Sequence, residues 1–301
     1  MPNLVLLLIC LLAGLLLRQW RVVTDEAPRA LNQLLVSLFL PALTLLYIPE
    51  IRIDHRFLLP VLVPWLQFGM GWLFLRWVAR RRGLPNRTLG ALLLTGGISS
   101  TSFVGFPVFE MLYGKEGLAM GILMSQAGSF LVCMTLGIAI ASWYTAREPS
   151  AGLMLRNMLR FPPFVTFLVA ILLNGLGYRH APEVRSLLEK ISSPFSVIAL
   201  LSVGMQLYGS VRQWPKSLLA IGLSYKLVLA PLLMYGLLAG VLHRRDSVME
   251  LCVLGAAIGP MNTAAVVAEQ YGLNASLATQ MVGVGLPLSL PVMYVVYHLI
   301  H

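Results

Sequence analysis

Apolar residues run through this chain in long stretches, and short segments between them hold most of the charge. A helix needs about 20 largely apolar residues to cross a bilayer. On that criterion the pattern predicts ten spans, near residues 3–20, 31–49, 57–78, 89–114, 117–143, 159–177, 191–210, 217–242, 248–271 and 276–299. Hydrocarbon offers no hydrogen-bond partners, so spans of this kind are helical and the expected fold is an all-α membrane protein. The first run, Leu4 to Leu17, has no basic flank before it and no A-x-A-like site after it. It reads as a first span, not as a cleaved signal.

Two of the spans depart from a plain apolar pattern. Thr95 to Pro107 reads TGGISSTSFVGFP, with five hydroxyl residues in eight positions, three glycines and a proline. Gly255 to Thr263 reads GAAIGPMNT. Hydroxyls gain nothing from lipid, glycine weakens a helix, and proline frees a carbonyl that something must satisfy. Irregular backbone at membrane depth survives only inside protein or along a wet cavity. Each stretch is therefore expected to be a broken helix at a binding site, with a kinked packing helix as the bland alternative.

The two interruptions fall at matching places. Residues 146–158 change composition and divide the chain into halves of five spans, 1–145 and 159–301. Tyr113-Gly114 ends the fourth span as Tyr271-Gly272 ends the ninth. An odd number of spans per half gives the copies opposite orientation, so the expectation is two inverted five-helix repeats with spans four and nine broken and crossing.

Composition narrows the class further. The chain is 58% hydrophobic and 11% charged, far below the charge of a soluble domain. The net charge of +10 suggests no nucleic-acid partner, because the basic residues sit in short connections. Thirteen of them (among them Arg80, Arg81, Arg82, Arg147, Arg212 and Lys216) fall on one side and eight on the other. The positive-inside rule then places both termini outside the cytoplasm. Cys10, Cys133 and Cys252 lie far apart in apolar runs and read as packing residues.

Half-helix N-termini carry free N–H groups and a partial positive charge, which suits a carboxylate or other small anion. Ser100, Thr101, Asn262 and Thr263 would add hydrogen bonds, with Gly105, Pro107 and Pro260 shaping the breaks. Lys226 lies about ten residues inside span eight, roughly 15 Å from its end at helical rise. A lysine that deep is a functional candidate by default, either contacting the anion or bracing a broken-helix carbonyl. Gln126 and Gln280 are candidates to face the cavity, or to bond neighbouring helices. Glu110 and Glu269 sit near span ends, where solvation or end-capping accounts for them.

These residues resemble the auxin efflux carrier family in its bacterial branch, within the bile-acid-transporter-like superfamily. Ser100 to Pro107 (STSFVGFP) is similar to that family's fourth-span motif, keeping Phe103, Gly105 and Pro107. Pro260 and Asn262 match its ninth span, and Tyr113-Gly114-Lys115-Glu116-Gly117 and Ala268-Glu269-Gln270-Tyr271-Gly272 match the exits. Ser100 departs from the family's usual Asn, which puts the substrate more than the fold in question. The resemblance implies a scaffold of spans one, two, six and seven, often dimeric, and a transport domain that moves like an elevator. It also implies small organic anions such as carboxylates as substrates, and a plasma membrane of bacterial inner-membrane type; no residue pattern calls for a cofactor.

Two rivals bear comparison. A sodium- or proton-coupled symporter of the bile-acid-transporter type would want acidic and amide oxygens at the crossing, and only Asn262 and hydroxyls are offered there. A membrane-embedded enzyme would need a catalytic or metal constellation. The five histidines instead fall in connections or at the chain end, and no H-E-x-x-H or G-x-S-x-G occurs.

Overall fold

The computed structural model describes residues 2–145, 151–211 and 217–301. Arg147, Arg212, Lys216 and residues 146–150 of the expected linker lie outside them. Among the described residues every regular element is helical, and there is no strand. The helices are α1 (Pro2–Gln19), α2 (Ala27–Glu50), α3 (His55–Arg82), α4 (Asn86–Gly97), α5 (101–113), α6 (115–145) and α7 (Ala151–Leu159). They continue with α8 (Pro162–Gly175), α9 (Pro182–Ser192), α10 (Phe195–Val211), α11 (Ser217–Val241), α12 (Ser247–Ala257), α13 (Asn262–Gln270) and α14 (Ala275–Ile300).

Among the described residues six helical runs are long and apolar enough to cross a membrane, one of them Thr101–Thr145 with 45 residues. A straight helix of that length would reach about 68 Å, more than twice the hydrocarbon core. Gly114 resolves the excess: at φ 64°, ψ −153° it leaves the helical region and separates α5 from α6. Gly272, after α13, has φ 73°. Both angles are ones that residues with a Cβ rarely adopt, so Tyr-Gly at the two span ends is a turn requirement.

Pro41, Pro107 and Pro231 each stand inside an apolar helix, and one device accommodates all three. Residues 35–39, 101–105 and 225–229 form π-helical turns, and the residue before each proline donates its N–H five residues back. Proline lacks an N–H and its ring crowds the carbonyl four residues earlier, and a wider turn moves that carbonyl aside. Pro107 therefore does not break its helix. The interruption expected around it falls upstream, at residues 98–100.

The helices pack in two groups. In one, α1 lies along α10 and α2 packs on α8, α9 and α10. In the other, α3, α4, α6, α11, α12, α13 and α14 pack on one another, with α5 against the chain that follows it. The main contact between groups is α10 against α14 and the start of α5. At the α1–α10 crossing Gly14 meets the Leu201 carbonyl and Gly204 meets the Leu11 carbonyl, so closely that a Cβ at either would overlap it.

The helix-to-helix approach at that crossing leaves no room to adjust, because the obstruction is backbone. Gly204→Val should lower stability by about 1–3 kcal/mol or more, read as a lower melting midpoint in detergent. Gly240→Ala, where a Cβ meets nothing within 4 Å, serves as the control and should melt at or slightly above the parent temperature. Equal melting of the two variants would mean the crossing is not close-packed in solution.

Candidate functional site

The two interrupted helices meet at their interruptions. After α4, Ile98 is extended at φ −118°, ψ 127°; after α12, Ile258 is extended at φ −65°, ψ 141°. The freed segments run antiparallel, paired at Ser99 and Pro260. The Ser100 N–H donates to the Gly259 carbonyl at 2.9 Å, and the Met261 N–H donates to the Ile98 carbonyl at 3.1 Å. Each break thus supplies the backbone partners that the other has lost. Gly259 is required by contact: a Cβ there would stand 2.5 Å from the Gly285 carbonyl oxygen of α14.

On one side lie the C-terminal ends of α4 and α12. The Gln67 amide, from α3, donates to the Ala256 carbonyl at 3.1 Å. The Ser99 hydroxyl is 3.1 Å from both the Gly255 carbonyl and Gln67 Oε1, and has one proton to donate between them. Lys226 Nζ donates to Ser99 Oγ at 2.6 Å. The neighbouring Tyr225 hydroxyl donates to the Gln67 carbonyl at 2.7 Å. Lys226 is 0% exposed and Gln67 1%. Among the described residues Lys226 forms no ion pair.

On the other side the first residues of α5 and α13 line a cavity of ≈ 20 Å³, room for about one water. Ser100, Ser102, Ser125, Gln126 and Thr263 form its polar wall, and Val36, Leu40, Phe103, Phe130 and Phe161 its apolar one. Among the described residues no acidic or basic side chain lines it. Gln126 Oε1 and, at the head of α13, Asn262 Nδ2 are buried without a hydrogen-bond partner among the described residues. Leaving a buried polar atom unpaired costs about 1–3 kcal/mol, so an unpaired acceptor and donor here call for a role.

The structure brings together most, not all, of the residues singled out by sequence. Ser100, Gln126 and Thr263 line the cavity, Asn262 opens α13 beside it, and Pro260 lies in the second break. Thr101 is turned to Ser129, with 3.1 Å between the hydroxyls. Gly105 packs against Ile258 and Phe109, and Pro107 is buried within α5. Lys226 reaches the crossing but does not line the cavity. Gln280 is on α14, bonded to Ser276 one turn back and outside the cavity. Glu110 holds Ser196. Ser102 belongs to the hydroxyl cluster read from sequence; Gln67 and Ser125 were missed, although an amide inside the apolar run of span three was a visible signal. Among the described residues no three His, Cys, Asp or Glu side chains gather as a metal site.

Comparison with known proteins adds the family. The family model described as "Membrane transport protein" matches residues 1–297. An uncharacterized transporter of Methanothermobacter thermautotrophicus is 26% identical over 288 residues, 94% of this chain and 92% of that one. The uncharacterized transporter MJ1031 of Methanocaldococcus jannaschii is 26% identical over 216 residues, 69% of this chain and 68% of that one.

The Gln67 side chain ties α3 to both breaks, and its backbone carbonyl accepts from Tyr225 of α11. Gln67→Leu should therefore destabilise the protein by about 1–3 kcal/mol, since it strands the Ala256 carbonyl in an apolar setting. The measurement is the melting midpoint in detergent, with Gln280→Leu as a comparison that should shift it far less. A Gln67→Leu protein as stable as the parent would remove the amide from the account of the crossing.

Proposed function

Because the chain belongs to the membrane transport protein family, of the auxin efflux carrier type, and is an integral membrane transporter and not an enzyme, we propose that it is a secondary carrier of small organic anions, carboxylates above all. In this reading the anion sits where the broken helices cross, on the side of the α5 and α13 N-termini. One observation carries it: both half-helices begin at the same cavity, which no acidic side chain among the described residues lines. Backbone N–H groups, the helix dipoles and the unpaired Asn262 amide then all favour negative charge at one place. The hydroxyls of Ser100, Ser102, Ser125 and Thr263 complete the polar wall, and the Gln126 oxygen accepts from a hydroxyl or acid proton of the solute.

The cavity as it stands is too small for such a solute, so the reading requires opening. We assign the opening to relative movement of the two packing groups, elevator-fashion, with α1, α2 and α8–α10 as the scaffold and dimer face. The six long apolar runs, with the folded-back Thr101–Thr145 run and the shorter α1, α8 and α12, support ten passes. The matching turns at Gly114 and Gly272 support two inverted repeats. Arg76 over the Trp72 ring at 5.2 Å and Arg81 over Trp77 at 5.7 Å support a membrane-interface end of α3, which this reading sets on the cytoplasmic side because the basic residues cluster there. Both termini then lie outside, in an inner membrane. A cation-coupled symporter remains the second reading, since carbonyl oxygens do gather at the crossing.

The experiment is a panel of mono- and dicarboxylates screened for stabilisation against heat in detergent. The parent should melt higher with at least one of them, and Asn262→Ala and Gln126→Leu should each weaken that response about tenfold or more, equivalent to about 1.4 kcal/mol. Both variants should melt near the parent temperature without ligand. Full response in both would move the anion away from this cavity.

A further inference from the structure

We propose that Lys226 is a tethered counterpart of a coupling cation: its ammonium permanently occupies the place at the crossing where a free sodium or potassium ion would otherwise be held. The site itself stands on geometry alone; its consequence for transport rests on the anion-carrier reading above.

Where two broken helices cross, the N-terminal ends suit anions, and the unwound carbonyls and C-terminal ends suit cations. This molecule separates the two kinds of end. The N-termini of α5 and α13 open on the cavity, while the last carbonyls of α12 face Ser99 and Gln67. Ser99 Oγ, Gly255 O and Gln67 Oε1 form a set of neutral oxygens, with Ser99 3.1 Å from each of the other two. Hard monovalent and divalent cations take such oxygens as ligands. The Nζ of Lys226 stands 2.6 Å from the middle one. It carries three donors, and Ser99 is the one partner the described residues give it.

A purely structural brace would not need a lysine. A neutral amide holds the same oxygens without burying a cation, and this side chain is fully buried with no carboxylate paired to it among the described residues. What an ammonium adds is charge, placed against the negative ends of two helix dipoles. Its position is also set by the backbone. The π-helical turn at 225–229, which accommodates Pro231, lets consecutive residues serve one cluster, Tyr225 on Gln67 and Lys226 on Ser99. In a carrier so built, the anion meets a site already charged from within, and sodium or potassium is not a co-substrate.

The test compares the parent with Lys226→Met, first without any anion. Melting is measured in choline chloride and in chlorides of sodium, potassium, ammonium and methylammonium at one ionic strength. The parent should melt at one temperature in all of them. Lys226→Met should melt lower in choline and be raised by one or more of the small cations in a saturable way, as ligand linkage requires. Anion binding should follow the same pattern: unaffected by choline in the parent, about tenfold or more weaker in Lys226→Met, and regained with the rescuing cation. A folded Lys226→Met protein indifferent to every cation would overturn the proposal. So would a parent whose melting or anion binding falls when sodium is replaced by choline, a measurement that stands even if the variant does not fold. If the parent binds no carboxylate at all, the anion-carrier reading fails, and cation-dependent melting of Lys226→Met still decides the role of Lys226.

Discussion

The fold depends on two backbone hydrogen bonds made between helices that each have a gap. Hydrocarbon leaves no other source of partners for an unwound peptide, and every unpaired group there costs several kcal/mol. Ser100 donating to Gly259 and Met261 donating to Ile98 cancel the two deficits against each other. Neither break is tolerable alone, so the halves of the chain must come together in one register. That register brings Gly259 against Gly285, and there is room for α14 only because both are glycine. The remaining end groups are then covered by side chains chosen for reach, Gln67 from α3 and Ser99 from the break itself.

Pairing the breaks antiparallel also sorts charge. The carbonyl ends of the half-helices gather with Lys226, and the amide ends gather at the cavity. A membrane interior of low dielectric magnifies both, so one short stretch of backbone presents opposite fields on its two sides. Two side chains from neighbouring positions, Ser99 and Ser100, belong to different sides of that divide. This is why a single serine-rich run contributes both to a cation's surroundings and to a candidate anion cavity.

Much of this was legible in the sequence, and the failures have physical causes. Hydrophobic length found the helices because a bilayer demands it; hydroxyls with glycines marked the first interruption, and Gly259, Pro260, Asn262 and Thr263 marked the second. Pro107 misled because proline is the usual cause of a break, whereas here a π-helical turn absorbs it and leaves the helix whole. Pro260, by contrast, does lie in its break. Lys226 was conspicuous by depth, but which oxygen it meets depends on long-range packing that no local pattern encodes. Gln67 escaped notice for the same reason: its partners are 32 and 189 residues away. Thr95 was weighed with the other hydroxyls, yet it bonds back to the Ala91 carbonyl of its own helix, a local choice open to any buried threonine.

The walls of the cavity come from different groups of helices. Ser100, Ser102, Ser125, Gln126 and Thr263 belong to the body that contains both breaks, while Val36, Leu40 and Phe161 come from α2 and the residue preceding α8. The polar wall is thus built on the same body as the two bonds that make the breaks possible. In the proposed carrier, sliding that body past Val36, Leu40 and Phe161 would open or close the cavity without disturbing Ser100–Gly259 or Met261–Ile98. Local unwinding would do the reverse, exposing peptide groups whose partners the membrane cannot replace. Of the two ways to admit a solute, displacement along the apolar seam leaves every backbone hydrogen bond of the crossing intact, and it is the cheaper one for that reason.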